Sequence, residues 1–322
     1  MKKSFILIAL ITVLAAGLFI SCNVDGDNGL YFSAATSIAP SGIRIKAYMG
    51  KDASGNYLFL SDNGIYKNKD VYAKTKDLHI DGCFYDSVSQ NFYFINTDGK
   101  VYKTNGTSDP VDAGFGDDWH GLSSSGYLYK DSGFKYIPDG SDTQEVTVSH
   151  PMFSGQSMLI MDMTNKQAKI YNAGSLVDGL TVSGFDSDKH ASGFIEITAG
   201  SKYIVFYGDA AYLVDSSHTS IVNGNRVAYN LGTAQNGGYV GSMYTDNKIL
   251  VKTGSAFYII KYNSTGSDSK DYVSSSSFSG LKSSNIITMD KTADNELTLI
   301  TFENGIRVAN MSNMTVSDDV LL

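Results

Sequence analysis

Five histidines, two cysteines and a thin scatter of carboxylates are the side chains in this 322-residue sequence with the clearest reactive potential. The histidines, His79, His120, His150, His190 and His218, stand far apart, and none is paired at His-x-x-x-His or His-x-His spacing. No single segment therefore brings two imidazoles to a metal, and a zinc site would have to be assembled from distant parts of the chain. No Gly-x-Ser-x-Gly elbow, dinucleotide glycine motif or phosphate-binding Walker loop occurs. The stretch Asp25-Gly-Asp27-Asn28-Gly29 has closely spaced oxygen ligands, but it lacks the turn glycine at the sixth position and the distal bidentate glutamate of a calcium loop. It reads as a flexible tether. Asp81, Glu196 and Asp290 are the carboxylates placed to face a common centre, where paired acids could hydrolyse or eliminate a glycosidic bond. Glutamate is rare, however, and most aspartates fall at turn positions, where capping of the backbone accounts for them. The segment Phe115-Gly-Asp117-Asp118-Trp119-His120-Gly121 holds the sole tryptophan. Asp117, Asp118, Trp119 and His120 are thus a candidate binding loop, since tryptophan dominates contact hot spots. The competing reading has Trp119 packed between structural elements. No cofactor and no metal are expected.

The elements that must position these groups are strands. Long helices are built from Ala, Leu, Glu, Lys and Gln. This chain instead offers β-branched and aromatic residues in short runs, separated by Gly, Asn, Asp and Ser. It has 32 glycines and 21 tyrosines against 4 prolines. Beyond residue 22 no stretch sustains a 3.6-residue apolar period over three turns, which predicts an all-β protein.

A unit recurs: an apolar strand, a tight polar turn, then a second strand that often carries tyrosine. It reads Asn56-YLFL-SDNG-IYKN, Asn91-FYFI-NTDG-KVYKT, a degraded Trp119-HGL-SSSG-YLYKD, and Ser157-MLIMD-MTNK-QAKIYN. It continues as Lys202-YIVFY-GDA-AYLVD, Lys248-ILVK-TGS-AFYIIKY and Glu296-LTLIT-FENG-IRVAN. Asn63-Gly64, Asp98-Gly99 and Asn304-Gly305 are strong hairpin signals. Less regular apolar stretches precede the hairpins, at 43–49, 78–85, 193–197, 239–244 and 286–289. Polar strands follow them, at 71–74, 180–182, 220–222 and 272–274. Four strands per unit at roughly 30 to 50 residues is similar to the blade pattern of β-propellers. About seven blades would fill the chain from Ile43 to Leu322. The resemblance is to the pattern alone: no WD dipeptide, kelch double glycine or Asp-box is present. The alternative is two β-sandwiches with a boundary at 139–148. A short strand at Leu30–Ser33 could pair with the last blade and close the ring. Tyr-Lys pairs such as Tyr66-Lys67 and Tyr102-Lys103 read as packing between blades, with a recognition surface as the other option. Cys83, in Gly-Cys-Phe-Tyr, reads as a small buried hydrophobe.

The chain opens with Met1-Lys2-Lys3, then an uncharged apolar run over residues 5–20 that is short for a membrane span, then Ser21-Cys22. This resembles the lipobox of bacterial lipoproteins, with Phe19 standing where that family commonly has an aliphatic residue. The resemblance implies that residues 1–21 are an export signal and that Cys22 is lipidated to become the mature N-terminus. Residues 22–29 would then be the tether and 30–322 a single propeller-like domain. Acyl chains on Cys22 would hold the protein at a membrane. Asn23, rather than aspartate, after the cysteine favours the outer membrane.

Removing Lys2 and Lys3 with the signal takes the formal charge from −8 to −10. An acidic body argues against nucleic-acid binding through bulk charge. The sequence therefore suggests a non-enzymatic, lipid-anchored platform for a protein or glycan partner. The alternatives are a carbohydrate-active hydrolase or lyase and a surface adhesin.

Overall fold

The computed structural model describes residues 43–321, apart from 77, 141, 187, 233–237, 255, 264, 266–268, 274–277, 279–280, 282–284 and 303–304. Cys22, the tether and the proposed strand at Leu30–Ser33 lie outside the described residues. Within them the chain forms seven four-stranded antiparallel sheets, each from strands consecutive in sequence. Blade 1 comprises Ile45–Lys51, Tyr57–Ser61, Gly64–Lys67 and Asp70–Val71. Blade 2 comprises Gly82–Asp86, Asn91–Ile95, Val101–Thr104 and Val111–Asp112. Blade 3 is made of Gly121–Leu122, Tyr127–Lys130, Gly133–Tyr136 and Gln144–Glu145. In blade 4 the strands are Met152–Ser154, Ser157–Asp162, Gln167–Asn172 and Ser175–Ser183. Blade 5 has Ala191–Thr198, Lys202–Tyr207, Ala210–Val214 and Arg226–Ala228. Blade 6 has Val240–Thr245, Lys248–Lys252, Phe257–Lys261 and Lys270–Val273. Blade 7 closes the series with Ile286–Ala293, Glu296–Thr301, Ile306–Asn310 and Thr315–Val316.

The near-continuous apolar runs of the second strands now have a cause. Successive side chains of a strand point to opposite faces, and in these sheets both faces are covered by a neighbouring blade. In blade 5, Tyr203 and Val205 pack on Leu159 and Ile170 of blade 4. The intervening Ile204 and Phe206 pack on Ile249 and Val251 of blade 6. Leu250 and Phe257 of blade 6 then meet Leu297 and Leu299 of blade 7. The same arrangement joins Leu58 and Leu60 to Phe92 and Phe94 across blades 1 and 2. Each fully buried Leu, Ile or Phe adds roughly 1.5–3 kcal/mol, so the core is a set of inter-blade layers and not one central cluster. Cys83 is buried in the layer between blades 1 and 2, as its apolar context suggests.

The first strand of blade 7 lies against that of blade 1. There the Ile45 N–H donates to the Phe302 carbonyl at 3.1 Å, joining the two ends of the ring. Blade 7 takes all four of its described strands from its own stretch of chain. The sandwich boundary at 139–148 does not exist: Gln144–Glu145 is the outer strand of blade 3, and Val148 is buried in the layer between blades 3 and 4. Two outer strands differ from expectation. Of residues 71–74 only Val71 belongs to a strand, Asp70–Val71, and Ala73–Thr75 forms a 3-10 turn. Residues 220–222 do not edge blade 5; Arg226–Ala228 does. Ile221 is buried between blades 4 and 5, and its N–H donates to the Ser183 carbonyl at 2.8 Å, so this segment leans on blade 4. At the Asn63-Gly64 turn, Gly64 has φ +128°, and an added Cβ would stand 2.5 Å from the Thr75 carbonyl oxygen. Only glycine fits there.

Candidate functional site

The first strands converge on the axis, where space is short, and this explains their irregular composition. Gly193 of blade 5 shows it: an added Cβ would lie 2.8 Å from both Cβ and the carbonyl oxygen of Tyr239 in the approach to blade 6. Small residues on these strands leave an axial channel of about 810 Å³. Tyr48, Phe153, Phe194 and Tyr239 bring aromatic rings to it, and Ser125, Ser154, Ser192 and Thr288 bring hydroxyls. Asp290 is the one charged side chain among the described residues that line it.

Asp290 lies on the first strand of blade 7, directly across from Thr298. Cross-strand partners share a face of the sheet. Met289 and its partner Leu299 belong to the layer with blade 6, so Asp290 and Thr298 face blade 1. There the channel walls raise the Asp290 carboxyl above its ordinary value by excluding water, against the pull of the Lys51 ammonium and a hydrogen bond from the Lys291 N–H. Solvent still reaches the carboxylate through the channel. Tyr48 is buried on blade 1, and burial, the Asp290 charge and Tyr57 together push its phenol well up. The Lys51 ammonium stands 4.5 Å over the Tyr57 ring. Thr298 Oγ1 is buried with no hydrogen-bond partner among the described residues. The result is a half-desolvated anion with a phenol and an ammonium near it, suited to grip hydroxyl groups or a positive charge.

The three carboxylates proposed as a catalytic set do not meet there. Asp81 is exposed just before blade 2 and does not line the channel. Glu196 is turned into blade 4. Its Oε1 accepts from the Ser157 hydroxyl (2.8 Å), the Asn172 amide (3.0 Å) and the Gly200 N–H (2.9 Å), while Oε2 accepts from the Gln156 N–H (2.9 Å). The Glu196 N–H in turn donates to Ser154 Oγ at 2.9 Å. This carboxylate fastens blade 5 to blade 4.

In the 115–121 loop, Trp119 is 4% exposed, wedged between blades 2 and 3 with Val101 and Leu128. Its indole N–H donates to the Phe115 carbonyl at 3.1 Å, and the Lys130 ammonium lies 5.0 Å over the ring. Asp117, Asp118 and His120 are exposed. His120 Nδ1 is 3.1 Å from an Asp131 carboxylate oxygen. The loop therefore offers polar side chains to solvent and keeps its indole for packing. Tyrosines also pack between blades: Tyr127, fully buried, donates its hydroxyl to the Gln156 carbonyl at 2.9 Å.

One association is invisible in local spacing. His150 and His190 stack face to face, ring centroids 3.5 Å apart and 19° from parallel. They precede the first strands of blades 4 and 5, so they hold nearly equivalent positions one repeat apart. The repeat alignment was the signal that could have paired them.

Comparison with solved structures agrees with the geometry. The chain is similar to the WD40 β-propeller domain of Doa1, at 14% identity and TM-score 0.51, covering 86% of this chain and 94% of that one. The fold is a seven-bladed β-propeller. The propeller also resembles Kluyveromyces marxianus Hsv2, at 10% identity and TM-score 0.56 over 86% of this chain and 97% of that one. A third similar structure is the extracellular domain of a putative one-component system from B. thetaiotaomicron. That match has 12% identity and TM-score 0.54, over 84% of this chain and 38% of that one. No protein-family model matches the chain, and no curated protein matches it.

Proposed function

We propose that this propeller is the body of a bacterial envelope lipoprotein, tethered through Cys22, and that it works as a rigid, non-catalytic platform for a protein or glycan partner. The observation that carries the reading is Asp290, the one charged side chain among the described residues lining an axial channel of aromatic, aliphatic, hydroxyl-bearing and small residues. A half-desolvated anion with no second carboxylate among the described residues that line the channel lacks the pair that glycoside hydrolysis uses. It suits recognition instead: a neutral polyol or a positively charged side chain gains a charge-assisted hydrogen bond, and an anionic group is repelled. The acidic body favours the same partners. The apolar run ending in Ser21-Cys22 supports lipidation, and the acidic, glycine-containing stretch at 22–29 is the tether in this reading.

Affinity capture from detergent-solubilised envelopes tests the platform. Wild-type protein should recover a reproducible partner that Asp290→Ala recovers poorly, while Cys22→Ser should abolish labelling by radioactive palmitate. Repeated recovery of nothing, or equal recovery with both proteins, would count against the channel as the seat.

A further inference from the structure

We propose that His150, His190 and Met163 bind a soft monovalent metal ion, Cu(I) by preference. The three come from different segments: His150 precedes the first strand of blade 4, His190 precedes that of blade 5, and Met163 follows the second strand of blade 4. Strand alternation puts the links between blades and the tips of the second turns on one face, so all three share it.

Two distances define the arrangement. The imidazoles stack at 3.5 Å, and His190 Nδ1 lies 3.3 Å from Met163 Sδ. Metal–nitrogen and metal–sulfur bonds of about 2.0 and 2.3 Å, opened to roughly 105°, span about 3.4 Å between nitrogen and sulfur. The His190–Met163 gap is thus already the bite of a shared metal. His150 Nδ1 is 2.7 Å from the Ser149 hydroxyl oxygen; in the tautomer whose Nδ1–H donates to it, Nε2 is the ligand atom. Parallel rings aim their lone pairs side by side, so His150 must turn about Cβ–Cγ to reach the ion. That torsion is soft, and the ring is exposed.

The donor set selects the metal. A thioether with two imidazoles suits Cu(I), whereas structural zinc takes four ligands in a tetrahedron and hard ions take oxygens. Among the described residues no three His, Cys, Asp or Glu side chains form a metal-holding group. Pro151 and Ala191, each next to one of the histidines, line the axial channel. A bound ion would therefore pin blades 4 and 5 at the channel margin. The site stands independently of the partner reading above.

The test uses untagged full-length protein in detergent, titrated calorimetrically with Ag(I), a redox-inert stand-in for Cu(I), and anaerobically with Cu(I) against bicinchoninate. Binding of one equivalent is expected, weakened at least about tenfold by Met163→Leu, by His150→Ala and by His190→Ala, with circular dichroism unchanged. The ring resonances of both histidines should shift on titration. Absence of binding, equal affinity in the three variants, or Zn(II) binding more tightly than Ag(I) would overturn the assignment.

Discussion

Replacing Glu196 should loosen the ring at one defined seam. Its carboxylate accepts four hydrogen bonds, three of them from blade 4 and one from the Gly200 N–H of its own turn. Hydrogen bonds to a charged group contribute about 1.5–3 kcal/mol each when counted singly. Here the site is only partly buried, water can replace some contacts, and bonds sharing one acceptor are not additive. We therefore expect Glu196→Ala to cost about 3–4 kcal/mol. For a domain of this size that lowers Tm by roughly 6–8 °C. Glu196→Gln keeps an oxygen for Ser157, Asn172 and Gly200 but turns an amide NH2 toward the Gln156 N–H, so it should cost about 1–2 kcal/mol. Urea unfolding followed by far-UV circular dichroism, with calorimetry for Tm, measures both. A loss under 1 kcal/mol for Glu196→Ala, or equal losses for the two variants, would refute the fastening role.

Asp290→Asn should separate stability from recognition. Because partial desolvation raises the folded carboxyl pKa, ionised Asp290 opposes folding above the ordinary carboxylate range of about 4. The asparagine variant should then be at least as stable as wild type at pH 7, with the advantage disappearing as urea midpoints are taken toward pH 4, yet it should bind partner weakly. Asp52 predicts the opposite slope. Its burial opposes ionisation, but hydrogen bonds from Lys67, Asn56 and Ser54 outweigh that and hold the carboxyl well below its ordinary value. Its contribution is complete above about 3.9 and fades as acid titrates it, so Asp52→Asn should destabilise at pH 7 and progressively less at lower pH. Trp119→Ala should cost about 3–5 kcal/mol without weakening partner capture, and the wild-type indole fluorescence should be blue-shifted and resistant to quenching.

Much of the architecture was legible in the sequence because its hairpins carry two local signals at once. Runs such as Tyr203–Tyr207 are apolar on both faces, and turns such as Asn63-Gly64 admit only a short connection. Outer strands carried less information: Val111–Asp112 and Gln144–Glu145 are two residues long and exposed, so packing leaves no pattern on them. Residues 220–222 misled because Ile221 is apolar for the sake of blade 4, not as part of a sheet edge. The site was harder still. Glu196 and Asp290 occupy first strands alike, and only strand register decides that one is spent between blades while the other meets the channel. His150 and His190 are neighbours through the repeat and not through spacing.

The central claim, that a partner sits at the axial channel, is tested most directly by photocrosslinking in intact cells. A benzoylphenylalanine in place of Ser125, which lines the channel, should yield one discrete adduct that is lost when Asp290→Ala is added. The same probe in place of Val111, on the exposed outer strand of blade 2, should yield none. An adduct that survives Asp290→Ala, or one that forms from Val111 and not from Ser125, would contradict the account.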